Sequence, residues 1–135
     1  MKNICMALPL LLAACATKGE MRNLPSDAGT KWVYKAPFDK VRLACQDTSG
    51  ELGFEIKPKE TVTTDAEVRL LASQGLSSGG TGRYLRIRMV KAEKGDETTV
   101  FVAIRSKTES NEARMTDDLI EKDFHKKVAG RVYPK

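Results

Sequence analysis

The chain has 135 residues with 23 Lys plus Arg against 18 Asp plus Glu, a formal charge of +5, and 41% hydrophobic residues, the composition of one ordinary folded domain. Its longest apolar run, residues 4–14, spans 11 residues, against the roughly 20 that a bilayer-crossing helix needs. Three cysteines and one histidine give no clustered ligands for a zinc or iron-sulfur site and no paired framework of disulfides, so neither metal nor cofactor is expected.

The first residues have the layout of an export signal. Lys2 supplies a positive charge, the apolar stretch ICMALPLLLAA follows, and small residues Ala13 and Ala14 precede Cys15. Leu12-Ala13-Ala14-Cys15 resembles the lipobox of bacterial lipoproteins. That resemblance implies cleavage before Cys15, a thioether to diacylglycerol on its sulfur, and acylation of the new N-terminus with chains such as palmitate. Stable attachment takes more than one acyl chain, a condition that a lipidated Cys15 would meet. Ala16, where enteric sorting rules place an aspartate for inner-membrane retention, points to the outer membrane. Cleavage would remove residues 1–14 and one positive charge, leaving 121 residues and a formal charge of +4.

Residues 16–30, ATKGEMRNLPSDAGT, show no apolar periodicity and mix Gly, Pro, Ser and charges, the pattern of a flexible tether spanning roughly 20 Å. From residue 31 a single domain is expected. Trp32 to Tyr34 form a first strand, and Pro37 opens a helix with Phe38, Val41, Cys45, Thr48 and Leu52 along one face. Gly53 is placed to end that helix in the left-handed conformation. Phe54 and Ile56 mark a second strand, and Val68, Leu70 and Ala72 alternate in a third.

Residues 73–82, SQGLSSGGTG, read as a hairpin loop, although glycines could also bring backbone amides together around an anion. Leu85, Ile87 and Met89 then define a fourth strand, and Val100, Val102 and Ile104 a fifth, joined through Gly95-Asp96. In the final helix Thr116 is expected as N-cap, Asp117 and Asp118 fill the first turn, and Leu119, Ile120, Phe124 and Val128 form the apolar face, with Gly130 as the stop. His125 falls away from the centre of that stripe. The order β-α-β-β-β-β-α predicts a two-layer α+β domain, both helices on one face of an antiparallel sheet.

Residues 36–56, APFDKVRLACQDTSGELGFEI, resemble the helix-to-strand segment of BamC-like domains, notably in A-P-F-D-K-V and E-L-G-F-E-I. Such domains belong to lipoprotein accessories of the outer-membrane β-barrel assembly machinery. The resemblance implies a helix-grip-like fold and a role beside a membrane complex.

Alternation places Arg69, Tyr84, Arg86, Arg88, Phe101 and Arg105 on the sheet face away from the helices. Arginine and tyrosine dominate binding hot spots, so this face is the candidate interaction patch. In the cytoplasm it would suggest single-stranded nucleic acid; the export signal directs the reading elsewhere. Cys45 lies on an apolar helix face without a nearby base, and no nucleophile-base pair or cofactor motif argues for an enzyme. The expected function is a lipid-anchored, periplasm-facing binding or assembly-accessory module with an envelope protein partner. Its alternative is an envelope-maintenance protein gripping peptidoglycan or anionic head groups through the basic face.

Overall fold

The computed structural model describes residues 18–75, 82–93, 96–107 and 111–134. In chain order these form α1 (Lys18–Arg22), β1 (Thr30–Tyr34), α2 (Phe38–Glu51), β2 (Phe54–Ile56), a 3-10 turn (Pro58–Glu60), β3 (Val62–Thr63), β4 (Glu67–Gln74), β5 (Arg83–Lys91), β6 (Thr98–Ser106) and α3 (Asn111–Val132). The domain is α+β, as the alternation and the two helical stripes require. Among the described residues its sheet is antiparallel in the order β1-β6-β5-β4-β2, with the two-residue β3 pairing with β4.

The even residues of β4 (Val68, Leu70, Ala72) and β6 (Val100, Val102, Ile104) and the odd residues of β5 (Leu85, Ile87, Met89) share one face. There they meet Val41, Ala44 and Cys45 of α2 and Phe124, Val128 and Val132 of α3 in one core. Period-2 alternation on the strands and a three-four spacing on the helices can be buried together only in this way. Gly53 carries a φ of +85°, a conformation that costs a residue with a Cβ far more than it costs glycine. The helix end therefore sits where the sequence places it.

Gly29 has the second positive φ, +91°, and a Cβ there would lie 2.1 Å from the carbonyl oxygen of Val102. Only glycine lets the chain enter β1 this close to β6. Because β1 begins at Thr30 opposite Val102, β6 runs on past it, and the amides of Ile104 and Ser106 face no strand. α3 supplies the missing acceptors. Ile104 N donates to Glu121 Oε2 at 2.8 Å and Ser106 N to Asp117 Oδ2 at 2.9 Å, two carboxylates one helical turn apart.

This edge-capping changes the final helix from the one expected. α3 spans Asn111–Val132, so Thr116 lies inside it and is not its N-cap; its hydroxyl donates back to the Glu112 carbonyl at 3.0 Å. Asp117 is buried against β6 rather than capping a first turn, while Asp118 is exposed. The inward stripe is Asp117, Glu121, Phe124, His125, Val128 and Val132. Leu119 points outward, 66% exposed, and Gly130 lies within the helix, which continues to Val132.

Phe124 is fully enclosed, so Phe124→Ala is expected to cost about 3–5 kcal/mol. Leu119→Ala, at a position that a purely apolar reading would bury, should stay within roughly 0.5 kcal/mol. Urea unfolding of the two variants measures both, and comparable losses would reject the assigned face.

A candidate interaction face beneath an N-terminal strap

Strand register brings the six residues of the expected patch together. Arg69 is opposite Arg88 and Arg88 opposite Phe101; Tyr84 is opposite Arg105; Arg86 lies between Leu71 and Ala103. All stand on the sheet face turned away from α2 and α3. This face is not open.

Residues 18–26, expected within a flexible tether, cross it as a strap. The structure corrects that expectation from Lys18 onward. Met21 is 1% exposed, and Arg86, expected at a solvent-facing position, is equally enclosed beneath the strap. Its guanidinium donates to three carbonyl oxygens: Pro25 at 2.6 Å, Leu24 at 2.8 Å and, more distantly, Met21 at 3.5 Å. The Leu24 and Met21 carbonyls belong to the end of α1 and the residues just after it, where a helix leaves acceptors unfilled. Burial lowers the pKa of Arg86, and the charges of Arg69, Arg88 and Arg105 press it in the same direction. Backbone oxygens are its hydrogen-bond acceptors.

The surrounding side chains are placed by acids and aromatics. Arg88 donates to both oxygens of Glu67 at 2.8 and 3.3 Å and to Ser26 O at 3.3 Å, and its guanidinium lies 5.3 Å from the Phe101 ring centre. Hydrogen bonding from Arg88 holds the Glu67 carboxyl below the usual carboxylate range. Arg69 approaches the same carboxylate at 3.7 Å. Arg105 reaches round the sheet edge to Glu121 Oε2 at 3.2 Å, and Lys107 sits 4.9 Å from the Tyr84 ring centre. Arg69 and Arg105 keep about a third of their side-chain surface exposed, 33% and 39%, and are the patch's accessible charges.

Two voids flank Met21. One, of about 390 Å³, opens between the strap and the first turns of α3 over the end of β6, with Glu20, Leu24, Arg105, Arg114 and Asp118 in its walls. The other, about 10 Å³, lies toward β4 beside Leu71, Ser73 and Tyr84. Sequence reasoning missed the strap because five helical residues are too few to show a period. The available signal was the pair of long apolar residues, Met21 and Leu24, in an otherwise polar segment.

On the opposite face, His125 is fully buried, correcting its expected place away from the stripe. Its Nε2 faces the Thr30 carbonyl at 2.8 Å, an acceptor only, so Nε2 carries the proton and Nδ1 accepts from the Tyr34 hydroxyl at 2.7 Å. Trp32 stacks on the imidazole at 5.1 Å between centroids. Burial pushes the Tyr34 phenol up and brings His125 down to about 4. Burial also raises Glu121, although Ile104 N, Thr30 Oγ1 and Arg105 donate to it. Cys45 is enclosed in the core and its thiol is pushed up to about 12 by burial.

Cys15, residues 76–81 of the glycine-rich loop and Gly95 of the expected hairpin lie outside the described residues. Among the described residues no helix is long and apolar enough to cross a membrane, and no three His, Cys, Asp or Glu side chains are grouped to hold a metal ion. No family model, curated protein or solved structure matches the chain.

The enclosed histidine makes stability pH-dependent. The unfolded chain takes up a proton at His125 as pH falls through about 6.5, whereas the folded protein resists until about 4. Its stabilising contribution is complete above 6.5 and lost toward 4, by up to roughly 1.4 kcal/mol per pH unit. Glu121, raised by burial, acts oppositely, favouring the fold as pH falls. Urea midpoints of wild type and His125→Gln at pH 7 and pH 5 separate the two: the variant should lose less stability on acidification, and equal losses would contradict the assignment.

Proposed function

We propose that this chain is a bacterial outer-membrane lipoprotein, anchored at Cys15 and facing the periplasm, that acts as a non-enzymatic binding or assembly-accessory module for an envelope complex. The observation that carries this reading is Leu12-Ala13-Ala14-Cys15 at the end of an apolar run that follows Lys2. Cysteine there offers the thiol that lipid transfer consumes, and the small residues beside it fit an extended chain into a peptidase groove. The resemblance of residues 36–56, which comprise α2 and β2, to BamC-like accessory domains supports the same class of role.

The strap sharpens the consequence. Lys18 begins a helix bound to the sheet, so Cys15 lies three peptide links, roughly 11 Å at full stretch, from a fixed point of the domain. The domain would therefore be held close against the bilayer, with little freedom to swing. Partial exposure of Arg69 and Arg105 supports the second reading, in which the same face grips peptidoglycan carboxylates or anionic head groups. The enclosure of Arg86 and the use of Glu67 and Glu121 as counter-charges leave less free charge for that purpose than an open face would have. The accessory reading is therefore preferred.

Labelling of growing cells with radioactive palmitate tests the anchor: the wild-type protein should take up label and Cys15→Ala none. Equal labelling would remove the anchor. With the anchor present, photocrosslinking from positions 69 and 105 should yield one stoichiometric adduct with an envelope protein; adducts only with cell wall or lipid would favour the second reading.

A further inference from the structure

Arginine is suited to pair with a carboxylate through two parallel hydrogen bonds. Arg86 has instead the carbonyls of residues 21, 24 and 25, and its Nε is buried without a partner among the described residues, as is Nε of Arg69. Four arginines gather here, at positions 69, 86, 88 and 105, around Glu67 and, at the edge, Glu121. The strap that covers them has a five-residue helix, too short to be stable alone. A void of about 390 Å³ runs along one side of the strap, while the Met21 side chain itself is enclosed.

We propose that residues 21–25 are an exchangeable, intramolecular occupant of a carboxylate-binding seat: when they lift, Arg69, Arg86 and Arg105, with Tyr84 and Phe101, receive an extended acidic segment of a partner protein. This inference rests on the accessory reading and names the chemistry of the partner. Charge complementarity selects the occupant. A carboxylate gives the buried guanidinium the counter-charge that carbonyl dipoles supply only in part, and flanking acids meet the partly exposed Arg69 and Arg105, Arg88 staying paired with Glu67. Tyr84 and Phe101 offer flat surfaces to the side chains between those acids. Because the strap begins three residues after Cys15, exchange at this seat would also lengthen the link between anchor and domain.

The test uses the mature lipidated protein in non-ionic detergent, with fluorescein-labelled hexaglutamate as probe, hexaglutamine as control and phosphatidylglycerol vesicles as competitor. Fluorescence anisotropy should show salt-sensitive binding of hexaglutamate and none of hexaglutamine. Met21→Ala, which loosens the strap and leaves the seat intact, should tighten binding about tenfold, because a site that must first be uncovered binds in proportion to the fraction uncovered. Arg86→Gln should abolish it. Trypsin cleavage between Arg22 and Asn23, read by mass spectrometry, should accelerate on adding hexaglutamate, since the displaced strap is then exposed. Unchanged affinity in Met21→Ala, or protection of the Arg22 bond, would overturn the exchange. Binding of vesicles but not peptide would overturn the assigned partner chemistry. If Arg86→Gln does not fold, the Met21→Ala comparison still decides. Failure of exchange in a protein that remains acylated and crosslinks to an envelope protein would overturn this inference and leave the accessory reading intact.

Discussion

A buried guanidinium held by backbone oxygens governs how the N-terminal strap is joined to the sheet. Removing an ion from water costs several kcal/mol even after a protein relaxes around it, whereas each hydrogen bond to a charged donor contributes about 1.5–3 kcal/mol. Two close carbonyls and one distant one at Arg86 therefore bring the balance near zero. If they were withdrawn while the site stayed dry, an uncompensated charge would remain. Arg86 and the strap thus support each other: the arginine holds residues 21–25 in place, and those residues enclose the arginine. The enclosure of Met21 beside it accompanies this contact.

A second constraint organises the far side. β6 outruns β1 because Gly29 allows a close approach that ends at Thr30, and unpaired ladder amides cannot be buried without acceptors. Asp117 and Glu121 satisfy them, and one turn further along the helix His125 accepts from Tyr34 and donates to Thr30. The polar stripe therefore fixes α3 against β1 and β6 with directional bonds, where an apolar stripe alone would tolerate rotation about the helix axis. Arg105 and Thr30 converge on Glu121 as well, so the helix side of the domain and the arginine face share a carboxylate at the sheet edge.

The residues explain why some of this is legible in the sequence and some is not. β4, β5 and β6 can be read because Val68, Leu70 and Ala72, Leu85, Ile87 and Met89, and Val100, Val102 and Ile104 recur at every second position. α2 can be read because Phe38, Val41, Cys45, Thr48 and Leu52 keep a helical spacing up to Gly53. The clustering of Arg69, Tyr84, Arg86, Arg88, Phe101 and Arg105 follows from the same alternation, and the register bears it out. The covering of that cluster could not be foreseen, since the strap is recognised by its main-chain oxygens, which every sequence possesses. The inward stripe of α3 was hidden for a related reason: three of its six members are polar, Asp117 and Glu121 serving β6 amides that are unpaired only because β1 is shorter than β6, and His125 serving the Tyr34 hydroxyl and the Thr30 carbonyl. Leu119 was misplaced by the rule that fails in such a case, that the apolar side chain is the buried one.

The interdependence of Arg86 and the strap can be measured most directly by amide hydrogen exchange on the protein and on Arg86→Met, which preserves side-chain length and removes the donors. The account predicts that amides of residues 19–28 lose protection in the variant while those of β4, β5 and β6 stay protected as in the wild type. Equal protection of residues 19–28 in both proteins would show that the strap is held by something other than this arginine and would contradict the account.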